Sequence, residues 1–384
     1  MDIVILAGGF ATRLRPLTLT IPKPLLPILG RPLLDWIYED LVKENTSRIV
    51  LSLHNMADRI IDHTTRNWTE IPVRHVLEER PLGDGGSLLH TLNSVGEEIS
   101  YPVIVMYGDI FTKISYREIY DYHIKRGGLA TIVGVYVNDV SRYGLLEVSE
   151  NSALIKIIEK PKDLSGVKGL VNAGIYVFSE EIKELIREFT TKDKKDKISI
   201  ARDLIPRLLK KGDVYVYRYE GVWSDIGTPS DYFRANIEAL RNILKTDIYI
   251  SENAEIGSNT KIDGPVYIGD NVVIGSNVRI GENVFIMGNV RIGDGVYIDN
   301  SLVMRDTVVG DYSVIKQAIV GESNIIGKWV RIYNGSILGS SIYLYDLICI
   351  PPGTLILPHK EISEDYCEKR IRRDKAQEGS EIIL

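Results

Sequence analysis

From Ile256 the chain reads IGSNTK, IDGPVY, IGDNVV, IGSNVR, IGENVF, IMGNVR, IGDGVY, IDNSLV, MRDTVV. An apolar residue returns every six positions, through Ile256, Ile262, Ile268, Ile274, Ile280, Ile286, Ile292, Ile298 and Met304. A second series follows four residues behind each leader: Thr260, Val266, Val272, Val278, Val284, Val290, Val296, Leu302 and Val308. The frame slips once and resumes as Val320, Ile326, Ile332 and Leu338. A helix would need a period of 3.6, and a flat strand a period of 2 over short runs. A period of six, with Gly, Asp or Asn after the leader, predicts one side of a triangular coil per hexapeptide. The small or polar residue would turn the corner, where glycine tolerates positive φ. The expected fold is a parallel β-helix, each coil stacking only on its neighbours around an Ile/Val column.

Residues 1–240 are patterned differently. Ile3–Leu6 and Ile49–Leu53 are short, continuous apolar runs, as buried parallel strands require. Between them Pro32–Asn45 carries Leu33, Leu34, Ile37 and Leu41 at helical spacing. Further strands are expected at Val73–Leu77, Val103–Tyr107, Ala130–Val137, Leu145–Val148, Ile155–Ile158, Val171–Phe178 and Val214–Tyr219. Helices are expected at Met56–Asn67, Ser87–Val95, Tyr116–Arg126, Glu180–Phe189 and Ala201–Lys210. This alternation predicts an α/β domain, a mostly parallel, doubly wound Rossmann-like sheet over 1–240, followed by the β-helix over 241–384. Ligands of such sheets bind at the carboxyl ends of the strands. The tail after Ile362 is charged and reads as a terminal helix or a loose arm.

The balance of 46 basic against 52 acidic residues gives a net charge of −6, so no overall basic excess points to nucleic acid. A mean hydropathy of −0.02 and no 18-residue apolar run argue against a membrane span. The N-terminus opens on a strand-like run with no basic leader segment, and the only cysteines, Cys349 and Cys367, lack metal or scaffold spacing. Both features predict a cytoplasmic protein. His54, His63, His75, His90 and His123 show no metal-ligand spacing and read as surface or packing residues.

The first strand ends in LAGGFATRLRPLT, residues 6–18, and PKPLLPI follows at 22–28. Gly8 and Gly9 let backbone amides approach a phosphate. Arg13 can bind phosphoryl oxygens in a bidentate manner. This is neither a Walker A loop nor a Rossmann fingerprint. The run GGFATRLRPLT with PKPLLPI resembles the signature of the nucleotide-sugar pyrophosphorylases, the sugar-1-phosphate nucleotidyltransferases. The similarity spans nearly the whole chain, because many members append a hexapeptide β-helix. Among those members the repeats resemble the left-handed β-helix of the hexapeptide family. The chain is most similar to mannose-1-phosphate guanylyltransferase-like members. The common pattern is G-G-x-G-T-R-L; Ala11 replaces its third glycine, a change expected to have little effect.

The resemblance implies that a sugar 1-phosphate attacks the α-phosphorus of a nucleoside triphosphate, giving an NDP-sugar and pyrophosphate. Arg13 and Lys23 would hold the triphosphate and stabilise the leaving group. Ala7, Gly8, Gly9 and Thr12 would form the nucleotide loop. Asp109 in YGDI and Asp225 in WSDIGTP would ligate Mg²⁺, completed by phosphate oxygens and water. On the sugar side, Glu159 and Lys160 of EKP, Asn172 of VNAGIYVF, and Tyr143 and Gly144 of RYGLLEV would contact the hexose phosphate. LEERPLGDGGSL at 77–88 resembles the base-reading loop, often P-L-G-T-A-G. Where uridylyl- and thymidylyltransferases commonly place a Gln, five residues before Gly83, this chain has Glu78. A carboxylate only accepts hydrogen bonds, which suits the adjacent N–H donors of guanine and opposes the carbonyls of uracil and thymine. GTP is therefore the expected nucleotide, and the resemblance implies mannose 1-phosphate or a close hexose phosphate as the sugar substrate.

Two alternatives are a uridylyl- or thymidylyltransferase acting on glucose 1-phosphate, and a noncatalytic regulatory subunit that binds nucleotide sugar. Hexapeptide relatives often carry acyltransferase activity on a histidine, but residues 241–358 contain none, and His359 lies just beyond the repeats. The β-helix is expected to serve as an oligomerisation or regulatory scaffold, making the protein a homo-oligomer. Removing it, after about Asn253, is expected to change the oligomer and leave measurable chemistry.

Overall fold

The computed structural model describes residues 1–185, 188, 197–364 and 382–383. Most of the charged tail, and part of the helix expected at 180–189, lie outside the described residues. The chain forms two compact units that interleave in sequence. The first holds residues 1–10, 23–25 and 33–225; the second holds 11–22, 26–32 and 226–384.

The first unit is built on a nine-stranded sheet. Its parallel half comprises β1 (Asp2–Leu6), β2 (Arg48–Leu53), β3 (Val73–Leu77) and β4 (Val103–Tyr107), in the order β4-β1-β2-β3. A short strand outside this sheet, β5 (Ile110–Thr112), follows β4 directly. The other half contains β6 (Ala130–Val137), β7 (Gly144–Val148), β8 (Leu154–Glu159), β9 (Gly169–Phe178) and β10 (Val214–Tyr219). Here β9 runs antiparallel to β4, β6 and β7, and β10 runs parallel to β6. The sheet is thus mixed, with its parallel strands at the nucleotide-loop end.

Alternation along each strand feeds two cores. Ile3 and Ile5 of β1 pack with Leu34, Ile37 and Leu41 of α1 (Leu33–Lys43), Ile60 of α2 (Ala57–Asn67) and Ile119 of α4 (Tyr116–Arg126). Val4, Val50 and Val105 pack on the opposite face with Leu88 and Leu92 of α3 (Gly83–Val95) and Leu208 of α5 (Ile205–Lys211). Helix α3 starts four residues before the expected Ser87, through a glycine run of poor helix propensity. Packing overrides propensity there: the amides of Gly85 and Gly86 donate to Ile198 O at 2.9 and 3.2 Å. A Cβ on Gly85 would sit 2.9 Å from the Ile198 side chain.

His123 on α4 is a buried packing residue, 2% exposed, held between Thr131 Oγ1 and Ser179 Oγ at 2.9 Å each. Burial drives its pKa from 6.5 down to about 4. The neutral ring is what folds, so its stabilisation is complete above about pH 6.5 and is lost as pH falls towards 4. The expected loss is up to roughly 3 kcal/mol. Urea midpoints of the wild type between pH 4 and 7 should show this slope, and His123→Gln should flatten it. An equal slope in both proteins would refute the assignment.

The second unit is a three-faced parallel β-helix, with sheets of eight, seven and six strands. Its hexapeptide sides and parallel pairing match the left-handed form expected. Equivalent residues recur every coil: Val266 pairs with Val284, Ile286 with Val303, Val303 with Val320, and Val320 with Leu338. The spacing shortens twice, not once, because the sides Ile298 to Val303 and Ile315 to Val320 each lose a residue. Val303 and Val309, not Met304, therefore continue the leading column. The second column turns polar at Ser301, Thr307 and Ser313, all fully buried. Thr307 and Ser313 donate across the coils to Gly321 O at 3.1 Å and Gly327 O at 2.9 Å.

The corner glycines also work differently from the expectation. The left-handed residue is the third after the leader, as in Asn259, Asn271, Asn277, Asn283 and Asn289, with φ between 52 and 61°. Asparagine reaches this region at low cost, and its side chains form rungs such as Asn271 to Asn289 at 3.2 Å. The glycine after the leader is needed for close coil approach: a Cβ on Gly257 would lie 2.5 Å from the Gly275 carbonyl carbon. The final described residues, Ile382–Ile383, add an edge strand beside Thr354–Ile356.

The segment between Gly9 and α1 divides between the units. Thr20 Oγ1 lies 3.0 Å from Ser340 Oγ of the β-helix. The hairpin Pro27–Pro32 is held by α6 (Pro229–Asn242): Leu29 N donates to Asn236 Oδ1 at 2.8 Å, and Tyr232 OH donates to Pro27 O at 2.6 Å. Phe233 of α6 packs edge-on against Phe285 of a coil.

Candidate functional site

Because β1 to β4 are parallel and in register, their carboxyl ends form one edge. Leu6 pairs with both Ser52 and Tyr107, and Leu53 pairs with Leu77. Ala7, Gly8 and Gly9 leave β1 at this edge, and Glu78 leaves β3. Ala7 N donates to Ser52 O at 2.8 Å, extending the ladder past β1. Glu78 is 7% exposed, and its Oε1 accepts from Ser52 Oγ at 2.9 Å. A Cβ on Gly8 would lie 3.1 Å from His54 and 3.5 Å from that same Oε1. Glycine at position 8 thus lets the loop run directly over the Glu78 carboxylate.

Asp109 follows β4, and β5 begins at the next residue. Strand β11 (Trp223–Asp225) pairs antiparallel with β5, placing Asp225 opposite Ile110. This pairing brings together two carboxylates separated by more than a hundred residues. Lys23 stands between them, with Nζ 2.5 Å from Asp109 Oδ2 and 3.9 Å from Asp225 Oδ1. Its side chain is only 11% exposed, against 35% for Asp109 and 24% for Asp225. The cluster therefore opens to solvent on its carboxylate side. Among the described residues no group of three or more His, Cys, Asp or Glu is placed to hold a metal. The two aspartates are nevertheless hard oxygen donors around a point already occupied by a cation, and that donor chemistry fits a divalent ion completed by phosphate and water.

The sugar-side candidates also converge. Strands β7 and β8 pair Gly144 with Glu159, and a Cβ on Gly144 would lie 2.9 Å from Glu159 Oε2. Lys160 N donates to Tyr143 O at 2.9 Å, and Lys160 adopts a left-handed φ of 51°. Such backbone in a non-glycine residue is costly and concentrates at functional sites. Burial raises the pKa of Glu159, opposed by Lys160 and Arg202 and reinforced by Asp84. The Tyr143 ring packs on Trp223, whose Nε1 donates to Ala173 O at 3.0 Å. Asn172, half-buried on β9, donates from Nδ2 to Tyr176 OH at 2.7 Å.

Gly83 opens α3 with φ of 77°, and a Cβ there would meet Ile198 O at 2.6 Å. Thr12 and Arg13 belong to the second unit, exposed on the turn Thr12–Leu14. Ala11, just before them, has φ of 47° and ψ of 44°. The exchange of glycine for alanine is therefore not neutral: it puts a Cβ in the left-handed region, at about 1–2 kcal/mol. Sequence reasoning missed Ser52, Asp84, Tyr107, Tyr176, Arg202 and Trp223. The available signals were Asp84, a departure from the usual loop, and the places of Tyr107, Tyr176 and Trp223 inside the YGDI, VNAGIYVF and WSDIGTP runs.

Comparison with known proteins fits this arrangement. The Nucleotidyl transferase family matches residues 3–242, a Bacterial transferase hexapeptide family 247–282, and a GMPPB C-terminal domain 274–372. A mannose-1-phosphate guanyltransferase of Saccharomyces cerevisiae is 36% identical over 96% of this chain and 99% of its own length. The mannose-1-phosphate guanylyltransferase catalytic subunit beta of Xenopus tropicalis is 31% identical over 97% and 99%. The crystal structure of HddC from Yersinia pseudotuberculosis complexed with GMP-PN superposes with a TM-score of 0.51 at 32% identity, covering 62% of this chain and 98% of HddC. The strand-end glycine loop, the paired aspartates and these full-length relatives agree: the chain belongs to the nucleotidyl transferase family.

Proposed function

We propose that this nucleotidyltransferase joins GTP and mannose 1-phosphate, releasing pyrophosphate. A phosphate oxygen of the sugar phosphate attacks the α-phosphorus, and the bond from that phosphorus to the β-phosphate bridging oxygen breaks. Such chemistry depends on positioning and charge neutralisation. The observation that carries the reading is the Lys23 ammonium held between Asp109 and Asp225 beside the strand ends. Lys23 would move from carboxylate to phosphate as substrate enters, and Arg13 would add a second cation. Asp109 and Asp225 would hold Mg²⁺, which when bound would neutralise charge on the phosphates. Gly8, Gly9 and Thr12 would offer backbone and hydroxyl donors to the nucleotide, with Ala7 and Gly83 shaping the pocket. Tyr143, Gly144, Glu159, Lys160 and Asn172 would hold the sugar phosphate.

Relatives named for guanylyl transfer and the GMP-PN complex of HddC support guanine as the base. So does Glu78. With Oε1 engaged by Ser52, its other oxygen remains to accept from guanine N1–H or N2–H. Glu78→Gln would keep the Ser52 bond and present an amide N–H₂ to those donors. Pyrophosphate release measured across GTP, ATP, CTP, UTP and dTTP, with mannose, glucose and N-acetylglucosamine 1-phosphates, should favour GTP. Glu78→Gln should move the GTP-to-UTP ratio of kcat/KM towards UTP by about 100-fold. Wild-type preference for UTP or dTTP would overturn the base assignment.

We further infer a cytoplasmic homo-oligomer assembled through the β-helix, acting on soluble substrates without nucleic acid or membrane. No described helix is long and apolar enough to cross a membrane. One corner column of the β-helix supports assembly. It changes from Asn259 and Asn277 to Tyr312, Trp329 and Leu347, which are 49, 50 and 70% exposed.

A further inference from the structure

We propose that Asp84, Tyr107 and Tyr176 form a polarised hydrogen-bond relay that locks the amide of Asn172 in one orientation for a vicinal diol of the hexose. This makes the three residues positioning residues for the sugar phosphate, and it rests on the sugar-side reading of Asn172.

The relay begins in the base-side loop. Tyr107 OH donates to Asp84 Oδ2 at 2.6 Å, and Ile200 N donates to the same oxygen at 3.2 Å. A carboxylate can only accept, so the single phenolic proton of Tyr107 is committed to Asp84. The 3.3 Å contact between Tyr107 and Tyr176 then has one polarity: Tyr176 donates and Tyr107 accepts. With its proton spent, Tyr176 must accept from its other neighbour, which is Asn172 Nδ2 at 2.7 Å. On the opposite side Asn172 Oδ1 accepts from Gly174 N at 3.0 Å. Burial raises the pKa of both tyrosines, so both keep their protons.

A flipped Asn172 amide would face an oxygen with no proton to give and an N–H with nothing to accept it. Both bonds would be lost together, which excludes the flip. Among the described residues, what remains free on Asn172 is one N–H and one carbonyl lone pair, side by side. That pair suits two adjacent hydroxyls, one accepting and one donating. The geometry is tightly built: Gly174 has φ of 74°, and a Cβ there would lie 2.4 Å from the Tyr107 ring. Tyr176 is fully buried, and Glu159 lies close enough to act on it electrostatically.

The test is steady-state kinetics on the full chain, varying GTP and mannose 1-phosphate separately, with thermal melts as the folding check. Tyr176→Phe should raise the sugar-phosphate KM about tenfold and leave the nucleotide KM within about twofold, and Asp84→Ala should raise the sugar-phosphate KM about tenfold. Asp84→Asn should restore the wild-type sugar KM, because both bonds to Asp84 land on one oxygen that a carboxamide oxygen can replace. The relay is overturned if nucleotide and sugar KM rise together in Tyr176→Phe, if the sugar KM is unchanged in either variant, or if Asp84→Asn is as damaged as Asp84→Ala. Should Tyr176→Phe fail to fold, the Asp84 pair decides by the sugar KM and its rescue by Asn. A wild type that turns over no sugar phosphate would overturn the sugar-side reading itself, and the relay with it.

Discussion

Asp225→Asn and Asp109→Asn are each expected to lower turnover about 10²–10³-fold while moving the thermal midpoint by no more than about 2 °C. The asymmetry follows from burial. Both carboxylates are partly open to water, so losing one charge strands little buried polarity. Lys23 is the enclosed partner, and either single variant leaves it one aspartate. Catalysis would suffer because an amide oxygen is a poorer ligand for a hard cation and no longer neutralises it. The Mg²⁺ concentration for half-maximal rate should rise in both variants. The double variant should cost far less than the product of the singles, since the two act on one ion. Near-wild-type, Mg²⁺-dependent rates in either single variant would refute the metal assignment.

Truncation after Asn253 is expected to abolish more than 99% of turnover, in addition to changing the oligomeric state. The sequence alone suggested that chemistry would survive such a cut. The interleaving of the units argues otherwise. Residues 11–22, which carry Thr12 and Arg13, and residues 26–32, which flank Lys23, pack with the β-helix rather than with the sheet. Thr20 is tied to Ser340 and Leu29 to Asn236, so removing the coils takes away half of that support. A misplacement of about 1 Å in a positioning loop costs on the order of 10²-fold. Full-length Ser340→Ala and Asn236→Ala should show a milder loss in the same direction, which separates loop anchoring from general instability. Sedimentation and initial rates on the truncated chain give both readouts. A soluble truncation with full activity would show that the loop orders itself without the coils.

Much of the fold was legible because periodicity is local. A six-residue repeat can bury its leaders only by coiling, and the strand-helix alternation of the first half admits few arrangements. Misreadings arose where neighbours in space outweighed neighbours in sequence. Gly257 resembles a turn residue, yet it is there because the next coil passes within contact distance. The run Gly83 to Gly86 reads as a loop, yet Ile198 O captures its amides and draws it into α3. Met304 keeps the sixfold count, yet a shortened side moves Val303 into the column.

The candidate site residues came from the resemblance of the sequence motifs to the nucleotidyltransferase signature, and the strand-end places of Gly8, Gly9 and Asp109 from the apolar runs before them. Tertiary structure decided which of them meet. Pairing of β5 with β11 closes the distance between Asp109 and Asp225, and strand register is a non-local choice set by the buried face. The relay from Asp84 to Asn172 spans three elements and depends on proton direction, which no linear spacing encodes. The attachment of the Arg13 loop to the β-helix is likewise visible only in three dimensions, because it rests on side chains hundreds of residues apart.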